Sequence, residues 1–284
     1  MTDDRRPPIA IRHPTFAIRS AMRLFLEFTK VSFQRHLTYR AATVAGLVTN
    51  FFFGMLRAAI LIALYGTREE VAGITLQGAV TYTALTQAMI AYLSMFSWFD
   101  IMETVYTGDV AADLLKPMNY FRFWLAKDLG RAGVSFILRG LIVMLGFALI
   151  FDLAWPAGVT QWIALSFTLI LSLLLSFSWR FLINLSAFWT PNASGILRFF
   201  FVLSWFFSGF LMPLRFFPDW VIRLSYFTPF PHMLNTIVEV YLNLLAGPEI
   251  AQALLAQVLW LIALIAAGQI VLRAGVRRLV IVGG

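Results

Sequence analysis

Six apolar runs divide the chain, at roughly Thr43–Tyr65, Gly78–Phe99, Ala132–Phe151, Trp162–Trp179 (extendable to Trp189), Ile196–Met212 and Ile250–Leu272. A helix needs about 20 apolar residues to cross the hydrocarbon core of a bilayer. The pattern therefore predicts an all-α integral membrane protein with six transmembrane helices. The fifth run is the shortest and carries Gly209 and Pro213 near its end.

Ahead of the first run the period changes. Arg19, Arg23, Glu27, Lys30 and Gln34 recur at helical spacing and form one polar stripe, with Ile18, Met22, Phe25 and Phe28 lying away from it. Such a pattern predicts a basic amphipathic helix in the membrane interface, its arginines toward anionic headgroups. Two readings stand for it, a simple anchor or an anchor whose polar face also docks a partner subunit. The chain thus divides into an N-terminal segment, 1–38, and a six-span domain, 39–284.

Two connections are patterned as well. In the loop 106–130, Gly108 breaks the preceding helix, and Asp109 is placed to cap a new one through backbone N–H groups. Val110 to Lys116 suits one to two turns before Pro117 stops them. Asp109 and Asp113 lie four apart, while Val110 and Leu114 share a neighbouring face. This predicts a short amphipathic helix parallel to the membrane, either a docking device or an ordinary capped turn. The region 213–248 contains Pro213, Pro218, Pro229 and Pro231 among Phe216, Phe217, Trp220, Tyr226, Phe227, Phe230 and Tyr241. Too apolar for a free loop and too broken for a span, it predicts short re-entrant helices at the outer face. Aromatic rings belong at that depth, and irregular backbone there must be covered by protein or line a cavity. A structural plug and the lining of a substrate exit, with Phe216, Phe217, Trp220 and Phe230 on the path, both fit.

Composition sharpens the class. Hydrophobic residues make up 60% of the 284 and charged residues 13%, against about 45–50% and about 25% in soluble domains. The net charge of +8 does not point to nucleic acid, because the cations sit between the apolar runs. Seventeen Lys and Arg fall on the side of the N-terminus and the second and fourth loops; three (Arg68, Arg215 and Arg223) fall on the other. That bias places both termini in the cytoplasm of a bacterial inner-membrane protein. The opening residues have no apolar core followed by a cleavage site, so no cleaved signal peptide is predicted.

Candidate chemistry is sparse. There is no cysteine, and three scattered histidines (His13, His36 and His232) give no expectation of a metal site. No G-x-x-x-x-G-K-[ST] loop occurs, so P-loop ATP binding is excluded for this chain. Arg57 and Arg139 lie inside spans, where an arginine costs about 2.5–3.5 kcal/mol. Each needs a partner, a wet cavity or a path to headgroups: Gln87 is at a suitable depth for Arg57, and Asp100 with Glu103 for Arg139. They either border the path of an anionic or amphipathic substrate or pair within the bundle. Arg180 and Asn184 form a polar step one turn apart in the fourth span.

The order of these parts resembles the membrane subunits of ABC transporters of the type-2 export class. The resemblance covers nearly the whole chain: interface helix, six spans, a short helix between spans two and three, and re-entrant helices before the last span. The segment GDVAADLLKPMNYFRFWLAKDLGR, Gly108 to Arg131, is similar to a G-(D/E)-…-L-L-(K/R)-P stretch of a bacterial branch of these permeases. The resemblance implies that Gly108, Asp109, Val110, Asp113, Leu114, Leu115, Lys116 and Pro117 form a coupling helix that enters a groove on a separate ATPase. It further implies two such ATPases, holding the ATP and magnesium, and a second permease, identical or related. This chain itself would need no cofactor, and its environment would be membrane lipid. The competing reading is a membrane-embedded lipid or glycan transferase, which needs catalytic polar residues clustered at one membrane face.

Overall fold

The computed structural model describes residues 14–278 apart from Ser97 and Pro191. Among them the regular secondary structure is helical except for one short hairpin of two-residue strands. Helix α1 (Pro14–Thr38) leads through Tyr39 into α2 (Arg40–Tyr65). The hairpin β1 (Glu70–Val71) and β2 (Ile74–Thr75) turns on Ala72 and Gly73, both at positive φ. Thr75 Oγ1 then caps α3 (Leu76–Leu93) by accepting from Gly78 N at 3.1 Å.

At the opposite end the chain forms α4 (Asp100–Thr107), α5 (Val110–Leu114) and α6 (Tyr120–Ser135). Asn119 Oδ1 caps α6, accepting from Phe121 N and Arg122 N. One π-helical stretch, Phe136–Gly140, joins α6 to α7 (Leu141–Ala148). Then follow α8 (Val159–Asn184), α9 (Ser194–Phe207), α10 (Asp219–Tyr226), α11 (Asn235–Tyr241) and α12 (Pro248–Val276).

Among the described residues four helices are long and apolar enough to cross a membrane: Thr43–Tyr65, Tyr120–Ala148, Val159–Phe188 and Pro248–Val276. Their outward faces would be untenable in water. Val44, Val48, Phe52, Leu56, Ile60 and Leu64, one turn apart along α2, are all exposed. On α12, Leu255, Leu259, Ile262 and Ile270 are exposed likewise.

The boundaries differ from the hydropathy pattern in three places. The second run breaks at Leu93, where Ser94 turns left-handed (φ 51) and a non-helical linker leads to α4. The third helix starts at Tyr120, twelve residues before the apolar run, because α1 covers its charged inner half. The fifth stops at Phe207, since Gly209 takes φ 73; its 14 residues reach about 21 Å at 1.5 Å each, short of a core of about 30 Å. The fourth helix carries on through a 3₁₀ turn to Phe188, as its longer reading allows.

The core runs the length of α3, which is buried on nearly every side against α2, α7, α8 and α11. Toward the α5 end it becomes aromatic. Phe121 meets Phe177 and Phe181 at ring separations of 5.1 and 5.0 Å, and Trp98 meets Trp124 edge-on at 5.8 Å.

Candidate functional site

The tip between α4 and α6 is a small built unit. Gly108, at φ 86 with open space around its Cα, ends α4 in a conformation that penalises a side chain. Asp109 does not cap α5 as the sequence predicts; its carboxylate accepts from Thr107 Oγ1 at 2.8 Å instead. Val110 and Asp113 point inward, and Asp113 forms an ion pair with Lys116. The Lys116 ammonium also lies 4.0 Å over the Phe123 ring. Leu114 is half-buried. Facing outward are Leu115, 86% exposed, and Tyr106, 69% exposed, with Gly108, Asp109, Ala111, Ala112 and Pro117 also exposed. Of the eight residues expected to dock, Val110 and Asp113 therefore hold the tip together, and Leu115 is its most exposed apolar side chain.

Beneath the tip lies a buried ionic junction that joins four elements. Asp128 on α6 accepts from Arg180 on α8 through both oxygens, at 3.1 and 2.8 Å, and from Arg131 Nε at 2.8 Å. Arg131 also donates to Ala91 O and Tyr92 O (2.5 and 3.0 Å), in the last turn of α3, where a cation suits the helix dipole. One turn on, Asn184 donates to Trp98 O at 2.9 Å and accepts from Met102 N at 3.1 Å, capping α4 from a distance. The polar step Arg180/Asn184 is legible in the sequence. Its partner Asp128 is not, because 52 residues separate the pair.

Helix α1 packs along α6. Phe28 meets Phe123 edge-on at 5.1 Å, and Ser32 Oγ donates to Lys127 O at 2.6 Å. Gly130 permits the approach, since a Cβ there would lie 2.4 Å from Thr29 O. The polar stripe of Arg23, Glu27 and Lys30 is exposed as predicted, flanked by exposed Met22 and Leu26. Arg19 lies in α1, but its side chain, like residues 1–13, is outside the described residues.

The two intramembrane arginines have partners. Arg57 donates to Phe210 O and Leu211 O (2.6 and 2.8 Å) and stacks over Phe210 at 5.3 Å, with Tyr82 OH donating to Gly209 O beside it. It thus satisfies backbone carbonyls of the loop that follows α9; Gln87 is not its hydrogen-bond partner. Arg139 lies against Gly46 on α2, so close that a Cβ there would be 2.7 Å from the guanidinium.

Among the aromatics of residues 213–248, Phe217 and Phe230 are linked through the rings of Phe206 and Phe207. Phe216 packs with Tyr65, Ile74 and Ala79, while Phe230 packs with Leu175, Met233 and Leu264. Phe217 meets Phe206 at 5.2 Å, and Trp220 is 64% exposed. Between them sits a carboxylate that the sequence reading passed over. Glu239 on α11 accepts from Arg215 Nε at 3.1 Å and Tyr226 OH at 3.2 Å. Burial pushes the Tyr226 hydroxyl pKa up, and it lowers that of His232 to about 4. The only advance signal for Glu239 was a lone acidic residue in an apolar stretch. Among the described residues no group of His, Cys, Asp and Glu is placed to hold a metal ion.

A family model described as ABC-2 family transporter protein matches residues 51–283, from the middle of α2 past the end of α12 and including the α5 tip. No curated protein matches the chain.

Proposed function

This chain belongs to the ABC-2 transporter family and is a membrane-spanning component of a transporter, and from that premise we propose that it is the permease of an ATP-driven exporter. Six spans cross the inner membrane of a bacterium in this reading, with both termini in the cytoplasm. The four long helices are joined by α3 and α9; α3, at 18 residues, reaches about 27 Å, and the short α9 is completed by the re-entrant segments around α10 and α11. Hydrolysis belongs to two separate ATPase subunits that bind ATP and magnesium, and a second permease, identical or related, completes the path for an amphipathic substrate.

One observation carries the proposal: the α5 tip presents exposed apolar side chains while its base is tied to the membrane helices. Leu115 and Tyr106 offer a partner a purchase without cost to the fold. Asn184 and the Asp128–Arg131–Arg180 junction join that tip to α3, α6 and α8. A push on the tip therefore moves those elements together, because packed and hydrogen-bonded elements shift as units. The test is a Leu115→Asp variant in reconstituted vesicles with its ATPase. Retained assembly of the membrane domain with loss of ATP-driven transport is the expected result, and full transport would remove the coupling role from this helix.

A further inference from the structure

At the α5 end two cavities meet. The first, about 330 Å³, lies between α1, α6 and the linker, walled by Phe28, Trp98, Phe123 and Trp124. The second, about 400 Å³, runs from the α1–α2 junction between α2, α3 and α6, past Thr43, Asn50, Ser135 and Arg139. His36, Tyr39 and Arg131 line both, so the two adjoin and are taken together as the cleft.

Its charge is unbalanced. Arg35, Lys127 and Arg131 line the first cavity with Lys116, which is already paired with Asp113, against two carboxylates, Asp100 and Asp128. Asp128 is already shared by Arg131 and Arg180. The second cavity has Arg131 and Arg139 in its wall and no carboxylate. Lys127, its ammonium 3.7 Å over the Trp124 ring, and exposed Arg35 at the rim are not in ion pairs among the described residues. Excess positive charge in a half-apolar cleft is costly unless an anion shares it.

We propose that this cleft binds the phosphate headgroup of an acidic membrane lipid, with Arg35 and Lys127 as its charge partners. The setting selects a lipid over a fully soluble anion. The walls are aromatic, the second cavity is bordered by Ile90, Phe96 and Val134, and the exposed apolar stripe of α2 begins at Val44, beside Thr43. A headgroup on the cations thus leaves its acyl chains along α2. The site stands whether the lipid is cargo or a resident, and its test is binding rather than transport.

The experiment is native mass spectrometry of the full chain released from nanodiscs containing phosphatidylglycerol or phosphatidylcholine, with inorganic phosphate as competitor. Phosphatidylglycerol is expected to be retained selectively. The Arg35→Gln/Lys127→Gln variant should weaken retention about 30-fold, the scale for two basic residues facing an anionic headgroup, and Arg35→Lys/Lys127→Arg should restore it. Arg277→Gln/Arg278→Gln, which removes equal charge elsewhere, should leave it unchanged. Displacement by millimolar phosphate would keep the anion site and assign it to free phosphate. Equal retention of the neutral lipid, or equal loss in both double variants, would overturn the proposal.

Discussion

Removing the Asp128 carboxylate tests the ionic junction most sharply, because its partners are unequal. Asp128 has no side-chain exposure and holds two arginines, whereas Arg180, 1% exposed, has Asp128 as its carboxylate. Asp128→Ala therefore strands a fully buried guanidinium, a loss of about 3–5 kcal/mol. Arg180→Met leaves Asp128 still paired to Arg131 and substitutes a side chain that fits the Trp98 and Phe177 surroundings; its cost is about 1–3 kcal/mol. Arg131 keeps its two α3 carbonyls in every variant. The double variant Asp128→Ala/Arg180→Met strands no buried charge at Arg180, so it should be more stable than Asp128→Ala alone. Thermal unfolding in mild detergent reads the order. Asp128→Ala should fall furthest, by on the order of 10 °C, followed by the double variant and then Arg180→Met. Equal effects of the two single variants, or a double variant worse than Asp128→Ala, would refute the reasoning.

Three further outcomes follow from the same geometry. Val110→Ala should lower stability by about 1–2 kcal/mol, as for other buried aliphatic truncations, while Leu115→Ala leaves the unfolding midpoint unchanged because Leu115 touches little of its own chain; differential scanning fluorimetry separates them. Gly130→Ala places a methyl 2.4 Å from Thr29 O and 2.7 Å from Phe33 N, so α1 should move off α6 at a cost of about 1–3 kcal/mol, read as faster proteolysis within α1. His232 has a pKa depressed to about 4 by burial, so the unfolded chain binds its proton first. Stability should be intact above about pH 6.5 and fall between there and about pH 4, by up to about 3 kcal/mol. His232→Gln should flatten that part of the profile measured by chemical denaturation.

The long spans were legible because lipid demands a signal that water-soluble cores do not: uninterrupted apolar length. The same signal failed where protein takes the place of lipid. Tyr120–Arg131 carries Arg122, Lys127, Asp128 and Arg131, and reads as a loop. In the structure Lys127 lies over Trp124, Asp128 and Arg131 pair, and α1 covers the surface, so the helix begins there. The break at Ser94 had no glycine or proline to announce it, and its carbonyl neighbours Ala91 and Tyr92 are satisfied by Arg131 from another helix. The position of Arg57 inside an apolar run demands a partner, but backbone carbonyls at Phe210 and Leu211 leave no trace in a sequence. The α5 tip was placed correctly by Gly108 and Pro117. Which of its side chains face outward was not, because a five-residue helix is too short for periodicity to separate Asp113 from Leu115.

Site-specific photo-crosslinking from position 115 in native membranes, with mass spectrometry of the adduct, tests the coupling proposal most directly. A covalent adduct with a P-loop ATPase, lost when the crosslinker is moved to the opposite end at Trp220, is the predicted result. Efficient crosslinking at position 115 that yields only lipid or proteins without a nucleotide-binding fold would contradict it.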